Sequence, residues 1–141
     1  MFEVIAVPVD GSDYGYEAAD IAIDMAQKFG SKIAAVHVLE EFSFNSYDSE
    51  EDSGDAILAK ITKKASDVGV EVTEHLLTAD PLRDMKFIID QTRADLVVIH
   101  AHGANNNRFV SFEENEVSDT QIGSVSERLL RTSSVPVLLV K

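Results

Sequence analysis

The chain alternates short apolar runs with segments of helical periodicity, and few folds accept that pattern. Val4-Ile5-Ala6-Val7-Pro8-Val9 is apolar throughout, lacking the in–out alternation of a half-exposed strand, so it predicts a strand buried on both faces. Asp10-Gly11-Ser12 breaks it. Over residues 13–29, Ala18, Ala22, Met25 and Phe29 recur at helical spacing and Gly30 marks the end. Residues 32–39 read as a second buried strand. Residues 40–53 are polar, acidic and aperiodic, which predicts a loop. A helix follows with Ile57, Ile61, Ala65 and Val68 on one face, ending near Gly69. Residues 70–77 make a third strand. Asp80-Pro81 then places an N-cap before a proline at the first helical position, with Leu82, Met85 and Ile89 facing inward. Asp95-Leu96-Val97-Val98-Ile99 is a fourth strand, residues 101–122 form a long loop without clear period, and a last helix leads into Val135-Pro136-Val137-Leu138-Leu139-Val140.

Strands alternating with helices predict a parallel sheet with helices on both faces. Right-handed crossovers and five strands favour a doubly wound, flavodoxin-like α/β domain spanning 1–141, with strand order 3-2-1-4-5. That order puts the switch point between strands one and four, and ligands of such sheets bind outside the carboxyl ends of the strands there. Those ends are Val9-Asp10 and residues 100–103.

The charge restricts the partners. The net charge is −13, but nine of the 25 acidic residues lie in two segments: Asp48, Glu50, Glu51, Asp52 and Asp55 in one, Glu113, Glu114, Glu116 and Asp119 in the other. Setting those nine aside leaves 16 acidic residues against 12 basic. No basic surface is available to displace the counterions of a nucleic acid, so none is expected as a partner. The apolar runs are too short to cross a bilayer, and no leader precedes the first strand. With no cysteine, disulfide and thiolate chemistry is excluded, in keeping with a cytoplasmic protein.

Gly123-Ser124-Val125-Ser126-Glu127-Arg128 reads in two ways. A glycine followed by small hydroxyl residues at a helix start offers free N–H groups and a positive dipole end to a phosphate. Ser124 and Glu127 also make the S-x-x-E capping box, which starts a helix without any ligand. Asp10 is equally double: it serves either a ligand or the backbone donors of its own turn. Gly103 and Gly123 either admit a phosphate close to the backbone or simply make turns. His100 and His102 alternate along a strand end and so point to opposite faces while the chain stays extended, which argues against a shared metal. His37 and His75 read as packed or surface strand residues, and Arg128 as facing solvent.

Val7-Pro8-Val9-Asp10-Gly11-Ser12, Val36-His37-Val38, Asp95-Leu96-Val97-Val98-Ile99 and the Gly123–Arg128 turn with the strand after it together resemble the universal stress protein family, over nearly the whole chain. The resemblance implies a five-stranded α/β fold, a homodimer formed through the last strand, and an adenine nucleotide, ATP or AMP, at the switch point. It would put Pro8, Val9 and Asp10 against the ribose or base and the backbone of Val38 on the adenine. His100 and Gly103 would lie at the ribose, and Gly123, Ser124, Val125 and Ser126 at the phosphates. The ATP-binding branch carries G-x-x-G, nine residues, then G-[ST]. Here His100 stands at the first glycine and nineteen residues separate Gly103 from Gly123; Ala79-Asp80-Pro81 stands where Gly-Asp-Pro is common. A side chain at position 100 would fill space or force the nucleotide aside.

Both acidic segments leave the sheet at its carboxyl edge. Two unit charges ~8 Å apart still interact by about 2 kcal/mol at an effective dielectric near 20, so carboxylates on that rim would oppose a polyphosphate unless Mg²⁺ neutralises them. Nothing resembles a Walker lysine or a paired nucleophile and base, so no enzyme is expected. The alternative to a nucleotide sensor is a dimeric interaction module whose pocket has closed and whose Phe109 and Phe112 meet a protein partner.

Overall fold

The computed structural model describes residues 1–40, 53–103 and 121–141. Pairing follows the apolar runs: β1 (Val4–Pro8), α1 (Asp13–Phe29), β2 (Lys32–Glu40), α2 (Gly54–Asp67), β3 (Val72–Ala79), α3 (Pro81–Thr92), β4 (Leu96–His100), α4 (Ser124–Thr132) and β5 (Val137–Val140). Most of the two expected loops, residues 41–52 and 104–120, lies outside the described residues, with eight of the nine clustered carboxylates; Asp55 alone is described, in the first turn of α2. The sheet is parallel, in the expected order β3-β2-β1-β4-β5.

Strand residues alternate between two cores, as the pleat requires. Ile5, Val7, Ile33, Ala35, Leu96 and Val98 pack with Ala18 and Ala22 of α1 and Ile57 and Ile61 of α2. Ala6, Ala34, Val36, Val97 and Ile99 pack with Met85, Ile88 and Ile89 of α3 and Leu129 of α4. Covered on both sides, the central strands need no polar face, which is why β1 and β4 read as unbroken apolar runs. The edge strands β3 and β5 alternate in burial instead.

Several boundaries differ from the sequence reading. Phe29 and Val68, the last residues of their periodic runs, are 50% and 41% exposed. Each sits at a helix end that has outrun the sheet, and Phe29 stacks edge-on against Phe2 instead. In α3 Met85 and Ile89 are buried as expected and Ile88 joins them, while Leu82 in the first turn is 42% exposed. The third strand starts two residues later than expected because Val70 donates its N–H to Ala65 O and completes the turn that ends α2. Asp95 precedes β4 and accepts from the N–H groups of Glu3 and Val4. The last strand begins at Val137, not Val135.

Candidate binding cleft at the switch point

β1 and β4 are neighbours whose chains then turn to opposite sides of the sheet, which opens a cleft between their carboxyl ends. Pro8 ends β1 opposite Val36, and Val9 donates its N–H to Val36 O at 2.8 Å. Val9 buries its side chain in the core, so its part is to place Asp10 at the rim. β2 runs on beyond β1 to pair Glu40 with Ala79, and half-buried Val38 lies on that extension.

Asp10 fills both of its sequence readings at once. Oδ1 accepts from the N–H of Ser12 at 3.0 Å and from its hydroxyl, a local turn; Ser12 in turn caps α1 by accepting from Gly15 N–H. Oδ2 lies against Gly103, close enough that a Cβ there would come within 2.6 Å of it. Gly103 is therefore a glycine of close approach, and it joins the ends of β1 and β4.

The capping box is out of register. The N-cap of α4 is Gly123, with no side-chain hydrogen bond at the cap, and Ser124 is the first helical residue. Glu127 does not reach back; its Oε1 accepts from Arg131 at 2.9 Å. The helix start is held from outside instead. Gly123 donates its N–H to Ala101 O at 2.7 Å, and Ala101 donates to Val140 O at 2.7 Å. Ser126 Oγ, buried, donates to His100 O at 2.7 Å, so that hydroxyl proton is not offered to a ligand. Among the described residues, no acceptor meets the N–H groups of Ser124, Val125 or Ser126, the usual orphan donors of a helix start. Arg128 is exposed.

His100 is buried on the α1 side of the sheet. Its side chain turns under α1 and is almost fully buried, with its ring 4.8 Å from that of Tyr14 and Nε2 3.3 Å from Glu17 Oε2. Nδ1 accepts the N–H of His102 at 2.9 Å. The rings of His100 and His102 lie 5.5 Å apart, contrary to the expectation of opposite faces, because the strand ends at His100 and the chain bends at Ala101. Among the described residues no group of three or more His, Cys, Asp or Glu is placed to hold a metal.

Tyr14 and Glu17 escaped the sequence reading, whereas His37, read as a packed or surface strand residue, is packed in β2. Buried His37 places Nδ1 2.8 Å from Val9 O, and since a carbonyl only accepts, that nitrogen carries the proton. Tyr14 and Glu17 shelter His100. Their spacing of three at the start of a helix puts them on one face, but only the strand order says which face meets β4.

The sequence profile of the Universal stress protein family matches residues 1–141. A curated relative, universal stress protein MJ0531 of Methanocaldococcus jannaschii, is 27% identical over 151 aligned positions, covering 100% of this chain and 83% of that protein. Universal stress protein UspA from Lactobacillus plantarum superposes with a TM-score of 0.78 at 18% identity, covering 98% of this chain and 97% of that one. The universal stress protein from Archaeoglobus fulgidus solved in complex with dAMP superposes with a TM-score of 0.69 at 22% identity, covering 100% and 98%. These superpositions show the shared fold. Among the described residues no helix is long and apolar enough to cross a membrane.

Proposed function

The chain belongs to the universal stress protein family, and on that premise we propose that it binds an adenine nucleotide, ATP or AMP, as a regulatory ligand between β1 and β4. One observation carries the reading: the N–H groups of residues 124–126, which meet no acceptor among the described residues, are fastened, through Gly123 to Ala101 and through Ser126 to His100, beside the Asp10–Gly103 contact. A carboxylate suited to sugar hydroxyls thus shares a cleft with donors and a helix dipole suited to phosphate. The Archaeoglobus neighbour holds dAMP, which supports an adenine nucleotide as the ligand class.

In this reading Asp10 accepts from the ribose or base, the backbone of Val38 meets the adenine, and the amides of Ser124, Val125 and Ser126 hold phosphate. Gly103 leaves room for the sugar, and Pro8 and Val9 set the floor. Mg²⁺ accompanies ATP, since Asp10 and Glu17 add to a strongly negative chain. The function is binding and not turnover, in a cytoplasmic protein. A homodimer forms through β5, whose outer edge is unpaired among the described residues and carries exposed Leu138.

Calorimetric titration of the full chain with Mg·ATP and with AMP tests the reading, with native mass spectrometry reporting dimer state and retained nucleotide. Saturable heat with one site per chain is expected. No heat with either ligand overturns the nucleotide reading and leaves a dimeric interaction module, whose Phe109 and Phe112 lie outside the described residues.

A further inference from the structure

His100 stands where the ATP-binding pattern has its first glycine, and its ring is buried against α1 in a polar junction of three segments. Its carbonyl accepts the Ser126 hydroxyl from α4. Its Nδ1 accepts the His102 N–H from the turn that carries Gly103. Its Nε2 faces Glu17 of α1 but is buried and, among the described residues, has no hydrogen-bond partner. Because Nδ1 accepts an N–H, it is unprotonated, and in the neutral ring Nε2 bears the hydrogen.

We propose that His100 is a positioning residue for the cleft: its unprotonated Nδ1 latches the turn that presents Gly103 to Asp10, so that adding one proton to the ring releases the turn. A proton on Nδ1 would point at the His102 N–H, two donors with no acceptor between them. The resulting imidazolium is drawn to Glu17 on the other side, so the ring is kept by α1 while the turn is let go. Among the described residues, the groups facing the ring are Glu17 and Tyr14 from α1 and His102 from the turn itself. α4 contributes the Ser126 hydroxyl at the backbone, β5 contributes apolar Val140 opposite His100, and Asp10 meets the same turn at Gly103. The latch is made while the ring is neutral and lost when the ring takes up a proton. The effect on binding rests on the nucleotide reading above; the latch itself does not.

Two measurements on the full chain test it. In the ligand-free protein, the His102 and Gly103 amide resonances are followed by NMR from pH 8 to 5 beside the imidazole signals of each histidine. Both amides are expected to track the His100 ring, and in His100→Asn, whose Oδ1 takes the place of Nδ1 as acceptor, to lose that dependence. A His102 amide that stays still while His100 titrates overturns the proposal, whatever the variant does. Calorimetry with AMP at pH 8 and 5.5 should then show wild-type affinity falling about threefold to tenfold further than that of His100→Asn, the worth of one hydrogen bond; the variant corrects for titration of the phosphate. Equal losses in the two proteins overturn the positioning role. Absence of AMP binding at pH 8 in both sinks the nucleotide reading and the binding half with it, while the amide titration still decides the latch.

Discussion

Gly54 opens α2 with its Cα against β2 and β3, where a Cβ would come within 2.5 Å of Leu76 Cδ1 and 2.9 Å of His37 Cδ2. Leu76 is partly exposed and can yield. His37 cannot, because its ring is tied to Val9 O. Gly54→Ala gains up to about 1 kcal/mol of helix propensity and incurs overpacking of roughly 1–3 kcal/mol. The net expectation is a loss of about 1–2 kcal/mol, read by urea unfolding; a more stable variant would show that His37 is free to move. Gly103→Ala is a different case, since its obstacle is Asp10 Oδ2 and the rest of that carboxylate is engaged with Ser12. We expect about 1 kcal/mol of stability lost with the displaced hydrogen bond and, on the proposed nucleotide reading, roughly tenfold weaker binding by calorimetry as a sugar there would lose its space. Asp10 and Gly103 were each legible as candidates in the sequence. That one constrains the other was not, because ninety-three positions separate them along the chain.

α3 is the element whose ends and charges are most fully explained. Asp80 accepts from the N–H groups of Leu82 and Arg83, so Asp80→Ala should remove about 1 kcal/mol, measured by chemical denaturation. The helix closes on Arg93 in the left-handed region at φ 60°, a stop that no glycine announces in the sequence. Along its length Lys86 donates to Asp90 at 2.7 Å, and that hydrogen bond holds the Asp90 carboxyl below its ordinary value of 3.8 against a smaller opposing effect of burial. A carboxyl lowered in the folded state contributes stability above its unfolded pKa and loses it as pH falls through the folded one. Lys86→Ala should move the Asp90 midpoint back up toward 3.8 in a carboxyl NMR titration; an unmoved midpoint would assign the shift to another group. A helix start was readable where the cap is a side chain, as at Asp80. One was misread at α4, where Gly123 caps without a side chain and tertiary hydrogen bonds do the holding.

Across the whole molecule, the two edges of the sheet differ in what they leave uncovered. The carbonyls of Pro136 and Val140 accept from Val97 of β4 and from Ala101 just past its end, so the alternate residues Val137 and Leu139 direct their backbone groups outward. With Leu138 exposed beside them, this edge is the surface proposed for a homodimer. Leu138→Lys should give a monomer with an unchanged circular dichroism spectrum; a persistent dimer in native mass spectrometry would move the interface elsewhere. Strand order, both cores and the position of the switch point were contained in the sequence, because which residues are apolar and at what period is local information and the handedness of crossovers removes the competing topologies. The arrangement inside the cleft was decided only by the tertiary structure. The ring of His100 lies under Tyr14 because strand order sets α1 over β4. Ser126 meets a carbonyl 26 positions away, and Gly123 is held by Ala101 although the chain between them is longer than the family pattern provides. Such contacts depend on the packing of whole elements, and the periodicity of any one element does not carry them.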